Sequence, residues 1–138
     1  MIAQTTPYGL SVTVPLPYEG AVQRIRTALA DQGFGVLTEI DVAATLKKKL
    51  DVAFRPYIIL GACNPTLAHQ ALTAEHDIGL LLPCNVIVYA TDAPERSVVA
   101  ALDPVAALAL TGRDDISHMA VEVRRRLEAA LSAVEAPA

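Results

Sequence analysis

The stretch YIILGACNP, residues 57–65, carries the clearest structural pattern in the chain. Residues 57–62 are continuously apolar, a pattern typical of a central strand that is buried on both faces. Asn64 followed by Pro65 is a start signal for a helix, with a good N-cap residue and a proline at the first helical position. The sequence therefore predicts a buried strand that passes directly into a helix, which continues to about Glu75.

The segments on either side alternate between strand and helix patterns. Strands are predicted at residues 8–14, 35–42, 78–89 and 97–102, and helices at residues 19–32, 42–50, 103–110 and from Asp114 or Asp115 onward. Pro83 interrupts the segment 78–89, which is typical of an edge position or a bulge. The strand at 97–102 returns beside this segment as a hairpin. Because hairpins and crossovers are mixed, the order predicts a two-layer α+β domain with helices on one face of a mostly antiparallel sheet.

Composition narrows the class of protein. The 138 residues are predicted to form one domain, 1–138, with an ordered core at about 8–134 and a frayed tail from Ala136. With no Trp and only 4% aromatic residues, the core has to be aliphatic. A net charge of -4 and a pI near 5.2 argue against a nucleic-acid partner, which would require a basic stripe. The basic runs at residues 47–49 and 124–126 are local exceptions.

The apolar segments and the cysteines predict the cellular location of the protein. Residues 1–10 lack the pattern of a signal peptide, and the longest apolar stretch, residues 78–90, is too short to span a bilayer. Two cysteines do not make a disulfide framework. We therefore expect a cytoplasmic protein without a membrane partner, in which both thiols are normally reduced.

The two cysteines stand in the tripeptides Cys63-Asn64-Pro65 and Pro83-Cys84-Asn85. A polar pair beside an apolar run costs free energy unless it is hydrogen-bonded, so each tripeptide is a candidate site. Cys63 precedes a predicted helix N-terminus, whose partial positive charge favours a thiolate. It is therefore the best candidate for a catalytic thiol, although a small buried hydrophobe is the alternative. Asn64 is expected to cap its helix, whereas Asn85 has no local partner.

Three further side chains are candidate ligands. Glu39 and Asp41 lie two positions apart on a predicted strand and share a face, which suits acid–base chemistry or a metal. The stronger alternative is a solvated face, with Asp41 used as an N-cap. His69, on the helix after Cys63, either points back to the thiol or faces solvent. Cys63, Cys84 and His69 are thus a possible metal set, which is weakly supported because no second cysteine pair exists.

Several of these segments together resemble one known family. They are GFGVLTEID (residues 33–41), GACNP (61–65) and GLLLPCNV (79–86), with Thr45, Leu46, Lys47 and Ala68. In combination they are similar to domain-of-unknown-function family 302, over nearly the whole chain. The resemblance implies a fold similar to the TATA-binding-protein-like class, with a curved antiparallel sheet and helices on one side, and members that are commonly dimeric. It supplies no catalytic assignment and no cofactor.

Three functional hypotheses follow. The first is a domain that binds a small ligand or metal through Cys63, Cys84, Asn64, Asn85 and also Glu39, Asp41 and His69. The second is a thiol-dependent redox protein or enzyme that uses Cys63. The third is a dimeric interaction module without chemistry. A homodimer is expected in addition, because Leu80, Leu81 and Leu82 and the apolar returning strand offer more hydrophobic surface than one small sheet face needs, and an uncovered sheet edge favours pairing.

Overall fold

One sheet of six antiparallel strands organises the chain. This computed structural model describes residues 1–135, and the tail from Ala136 that was expected to fray lies outside the described residues. The strands are β1 (Ala3–Thr6), β2 (Gly9–Val14), β3 (Gly35–Asp41), β4 (Tyr57–Cys63), β5 (Cys84–Ala90) and β6 (Ser97–Leu102). Their order across the sheet is β1-β2-β6-β5-β4-β3. The predicted α+β class, with a mostly antiparallel sheet, is confirmed.

Residues 1–135 also form five α-helices and two 3₁₀ turns, and the last two helices and the second 3₁₀ turn follow the last strand. The helices are α1 (Tyr18–Asp31), α2 (Val42–Leu50), α3 (Pro65–Ala74), α4 (Pro104–Leu108) and α5 (Asp114–Glu135), with 3₁₀ turns at His76–Leu81 and Ala109–Thr111. The side chains of Asp41, Asn64 and Asp103 cap α2, α3 and α4 by accepting hydrogen bonds from backbone N–H groups. Gly33, just beyond α1, has φ of 83°, as its predicted position after a helix requires. Among residues 1–135, no helix is both long and apolar enough to cross a bilayer.

Helices α1 and α5 cover one face of the sheet. The strand residues beneath them are almost all aliphatic and buried: Leu10, Val12, Val14, Ile58, Leu60, Ala62, Val86, Val88, Val99 and Ala101. A second, smaller apolar cluster joins Ile78, Leu108 and Ile116 at one end of the helical layer. On the opposite face of β4, β5 and β6 the alternating residues are half-buried or exposed, with Gly61 the exception. Along the described chain this face is open.

Two local predictions were wrong. Residues 78–89 are not one extended segment: a 3₁₀ turn occupies His76–Leu81 and β5 begins only at Cys84. The apolar residue Ile78 is buried in the smaller cluster. Its side chain is therefore apolar because the turn packs against this cluster, and not because it belongs to a strand. Pro83 lies before β5, whose pairing with β4 then runs without a bulge from Cys84 onward. Strand β1 was missed because its exposed sequence AQTT has no apolar alternation.

Gly61 marks a close approach between strands. A Cβ at this position would lie 2.3 Å from the Thr38 hydroxyl oxygen and 2.9 Å from Cγ of the Pro83 ring. The threonine side chain can rotate away, but the proline ring is fixed to the backbone at the start of β5. Glycine is thus required where β3, β4 and the Pro83 ring meet.

We expect Gly61→Ala to lower the free energy of unfolding by about 1–3 kcal/mol, because the added methyl group overlaps the Pro83 ring. Chemical unfolding followed by circular dichroism measures this. Gly35→Ala is the matched control on the neighbouring strand, since the nearest atom to its Cβ would be 4.0 Å away. Equal stability losses in the two variants would contradict the close-approach argument.

Candidate functional site

The structure brings the two cysteine tripeptides together at the junction of β4 and β5. Ala62 pairs with Cys84, and Gly61 pairs with Asn85. Cys63 is the last residue of β4, where it pairs with Gly35 of β3. The thiols therefore lie on neighbouring strands of the same sheet.

Strand alternation separates the side chains of these segments. Cys84 follows Ala62 onto the face covered by helices and is buried, with 7% of its surface exposed. Asn85, the next residue, falls on the open face and is exposed. Cys63 is half-buried at the strand end, one position beyond Ala62. The tripeptides therefore do not form one shared polar site.

Both cysteines border a small cavity between the strand ends and the helices. Its volume is about 40 Å³, and its wall is almost entirely apolar. The lining residues include Phe34, Ala62, Leu67, Leu108, Met119 and Val123. Such a space is far smaller than the ~300–1,000 Å³ of typical ligand pockets. Without polar partners it also has little to hold an ordered water.

Burial works against activation of either thiol. Burial raises the pKa of Cys63, and burial with the nearby Cys63 thiol raises the pKa of Cys84 to about 11. This is the opposite of the direction expected from a helix N-terminus. Oδ1 of Asn64 accepts the Leu67 N–H at 3.1 Å, so the side chain already satisfies one of the free N–H groups of α3. Desolvation therefore dominates, and the geometry does not support the hypothesis of a catalytic Cys63.

The remaining candidate ligands lie elsewhere. Glu39 forms an ion pair with Arg26 of α1. Oδ1 of Asp41 accepts the Ala44 N–H at 2.9 Å as the cap of α2, as the alternative interpretation predicted. His69 is exposed on α3. Within residues 1–135 no group of three or more His, Cys, Asp or Glu side chains is placed to hold a metal ion.

A larger depression lies on the open face beside Asn85. It has a volume of about 400 Å³ and crosses β1, β2, β6 and β5. Its walls are Thr5, Thr6, Tyr8, Gly9, Ser11, Asn85, Ile87, Tyr89, Ala100, Ala101 and Leu102, and none of these side chains is charged. We call this depression the open-face groove. Sequence reasoning found only Asn85 of this set, because the other residues come from four strands that only the sheet order makes neighbours.

Aromatic rings stand at one end of the open-face groove. The rings of Tyr57 and Tyr89 are stacked, with centroids 5.4 Å apart and planes at 9°. Phe54 contacts Tyr57 at a centroid distance of 6.2 Å. Burial raises the pKa of Tyr57, and the nearby Tyr89 and Tyr8 hydroxyls raise it further. The Tyr57 phenol therefore remains a neutral hydrogen-bonding group well above neutral pH.

The buried thiol has a consequence for stability at high pH. The unfolded chain releases the Cys84 proton near the ordinary value of 9.0, whereas the folded chain holds it up to about 11. Stability from this group is thus full below pH 9 and is lost as the pH rises toward 11, by about 2–3 kcal/mol in total. Urea unfolding under reducing conditions at about pH 8 and about pH 11 measures the loss, and Cys84→Ala should show a smaller one. A variant with the same loss as the wild type would contradict the assignment to Cys84.

Comparison with known proteins identifies the family and the fold and adds no ligand. No curated protein matches the chain. The chain is similar to a solved structure described as an uncharacterized conserved protein DUF302 from Bacillus stearothermophilus, with a TM-score of 0.83 and 26% identity. The similarity covers 91% of this chain and 97% of the other. The family model for the domain of unknown function DUF302 matches residues 10–134. The chain therefore belongs to the DUF302 family.

Proposed function

We propose that this protein binds a small uncharged molecule in the open-face groove, and that Asn85 recognises its polar group. The observation that carries the proposal is the position of the Asn85 amide. The residue lies on a central strand beside a depression of about 400 Å³. Its side-chain amide makes no hydrogen bond with any other residue of 1–135. An amide offers both donors and an acceptor, so it suits a ligand with an amide, hydroxyl or carbonyl group.

The chemistry of the groove wall supports an uncharged ligand. Thr5, Tyr8 and Ser11 contribute hydroxyl groups on one side, and Ile87 and Leu102 contribute aliphatic surface. No lining side chain could neutralise a phosphate or a carboxylate, and transferring such a charge from water without a partner is costly. Tyr89, already stacked on Tyr57, offers a rigid wall for a ring.

The proposal moves the site away from the cysteines. Their thiols border a cavity too small for a ligand, and their raised pKa values disfavour thiolate chemistry. Both cysteines are free, which fits the expected cytoplasmic location, where thiols stay reduced.

A homodimer is the second part of the proposal. The leucine triplet that first suggested it gives little support, because Leu81 and Leu82 pack against the smaller apolar cluster and only Leu80 is strongly exposed, at 88%. The apolar open face is the stronger support.

Asn85→Ala should weaken binding roughly three- to tenfold, the value of one hydrogen bond between neutral groups, without changing stability. Benzamide is a suitable probe, because it is neutral and carries one ring and one amide. Chemical shifts of the labelled protein, titrated with benzamide, report the affinity and the residues affected.

Asn64→Ala is the matched control for this experiment. It removes a buried N-cap and should lower the free energy of unfolding by about 1 kcal/mol while leaving benzamide affinity unchanged. The proposal would be contradicted if benzamide caused no chemical-shift changes around Asn85. It would also be contradicted if Asn85→Ala lowered stability and left benzamide binding unchanged, because the amide would then have only a structural role.

A further inference from the structure

We propose that helix α2 and the loop that follows it form a docking surface for an acidic amphipathic helix of another protein. We call residues 46–55 the α2 surface. The proposal goes beyond the proposed function, because these residues are not among those that line the open-face groove. It begins from the way in which α2 is packed.

Helix α2 has an apolar stripe but no buried residue. Val42, Leu46 and Leu50 recur at intervals of four, which places them on one side of the helix. Val42 and Leu46 are half-buried, whereas Leu50 is 65% exposed. A helix of a globular protein normally packs its apolar stripe against the core. The stripe of α2 is covered only in part, and its C-terminal end is open to a partner.

The loop after α2 adds two further apolar side chains to this surface. Val52 is 43% exposed and Phe54 is 49% exposed. The loop is nevertheless held in place, because Nη1 of Arg55 donates to the Ala90 carbonyl at 3.0 Å and the Phe54 ring contacts the Tyr57 ring. A partner would therefore meet apolar side chains on a fixed backbone and lose little free energy in ordering them.

The charge of the α2 surface is opposite to that of the whole protein. Residues 46–55 contain four basic side chains and one acidic side chain, a net charge of +3 in a chain of net charge -4. Nζ of Lys47 pairs with Oδ1 of Asp51 at 2.6 Å. Lys48 and Lys49 form no ion pair within the described part of the chain, and both are exposed. Two ammonium groups are thus free to meet carboxylates of a partner.

The helix dipole accounts for only part of this pattern. Lysines in the last turn of a helix interact favourably with the free carbonyl groups there. That role does not explain why Leu50, Val52 and Phe54 are apolar at exposed positions. In a docking surface the two features belong together, because apolar side chains supply binding free energy and neighbouring charges select a partner of the opposite sign.

The number of free lysines favours a protein segment over an anionic membrane. Basic clusters that bind anionic membranes contain about four to eight Lys or Arg residues. Here only Lys48 and Lys49 are without an acidic partner, and Asp41 and Asp51 at the two ends of α2 would be repelled by a negative surface. A helix that carries leucines on one side and glutamates beside them can pack against the apolar stripe and pair with both lysines.

Fluorescence anisotropy with a synthetic peptide tests the proposal. The probe is a labelled peptide that repeats the unit Leu-Glu-Glu-Leu-Leu-Glu-Glu, and its control has Lys in place of every Glu. We expect the full-length protein to bind the acidic peptide about tenfold or more tightly than the basic one. Equal affinity for the two peptides, or no binding of the acidic peptide by the wild-type protein, would overturn the proposal.

Leu50→Ser should weaken binding of the acidic peptide about tenfold, because it removes an exposed apolar contact without disturbing the core. Leu110→Ser is the matched control, since it makes the same change at a leucine that is 80% exposed outside the α2 surface. Equal effects of the two substitutions would show that the peptide does not bind at the α2 surface.

Lys49→Glu should weaken binding of the acidic peptide roughly tenfold at low salt and less at high salt, because salt screens exposed charges. Arg96→Glu makes the same change of charge at another exposed position and should leave the affinity nearly unchanged. If both variants lost affinity equally, only the net charge of the protein would matter and the proposed surface would be wrong.

Two other results would assign the α2 surface to a different occupant and so overturn the proposal. The first is binding to vesicles of phosphatidylcholine and phosphatidylserine that Leu50→Ser abolishes, without binding of the acidic peptide. The second is a wild-type dimer that Leu50→Ser, but not Leu110→Ser, converts to a monomer in sedimentation velocity.

Discussion

Burial of one face of the sheet beneath α1 and α5 sets the positions of the other parts of the structure. Fully buried valine, leucine and isoleucine side chains each contribute about 1.5–3 kcal/mol relative to exposure. Ile25 and Leu29 of α1, and Leu127 and Leu131 of α5, meet strand residues such as Leu60 in this layer. All five are fully buried, with at most 1% of their surface exposed. Because the core contains almost no aromatic residue, its stability depends on many aliphatic contacts rather than on one anchor.

The same burial fixes the register of the strands and so the position of every candidate site residue. A shift of one residue would exchange the two faces of a strand. Since Leu60 and Val86 must lie beneath the helices, Cys84 lies there too and Asn85 faces outward. The chemistry of Pro83-Cys84-Asn85 is thus divided between a dry interior and an open surface. The packing requirement of the core, rather than a requirement of the site, decides this division.

A buried polar contact connects this core to the rim of the open-face groove. Asp103 is 2% exposed, and its Oδ1 accepts the Val105 N–H at 2.9 Å as the cap of α4. Its Oδ2 lies 3.3 Å from Nη1 of Arg124 on α5, so the buried charge is paired. The backbone N–H of Asp103 donates to the Tyr8 carbonyl at 2.7 Å, which holds the turn between β1 and β2 beside the groove. Helix packing and groove shape are therefore linked through one residue.

The features that depend on neighbouring residues can be predicted from the sequence. The apolar run at residues 57–62 and the Asn64-Pro65 start signal specify β4 and α3, and Asp41 and Asp103 mark further helix starts, because caps and strand runs are local. Residues 78–89 were wrongly predicted to be one strand. A local apolar pattern does not distinguish a strand from a buried turn, and Ile78 lies in such a turn. It also did not identify Arg124 as the partner of Asp103.

Which residues share a surface depends on the assembled sheet. The strand order places Tyr8 and Ser11, from the N-terminal hairpin, beside Asn85 and Tyr89 of β5. No spacing in the sequence indicates this, because non-consecutive strands become neighbours only when the sheet assembles around its buried face. Desolvation likewise depends on the whole packed layer, and it raises the pKa of the Cys63 thiol where the helix start alone predicted the reverse. The sequence specified the elements and their apolar faces, and the long-range packing of those faces determined which residues line the open-face groove.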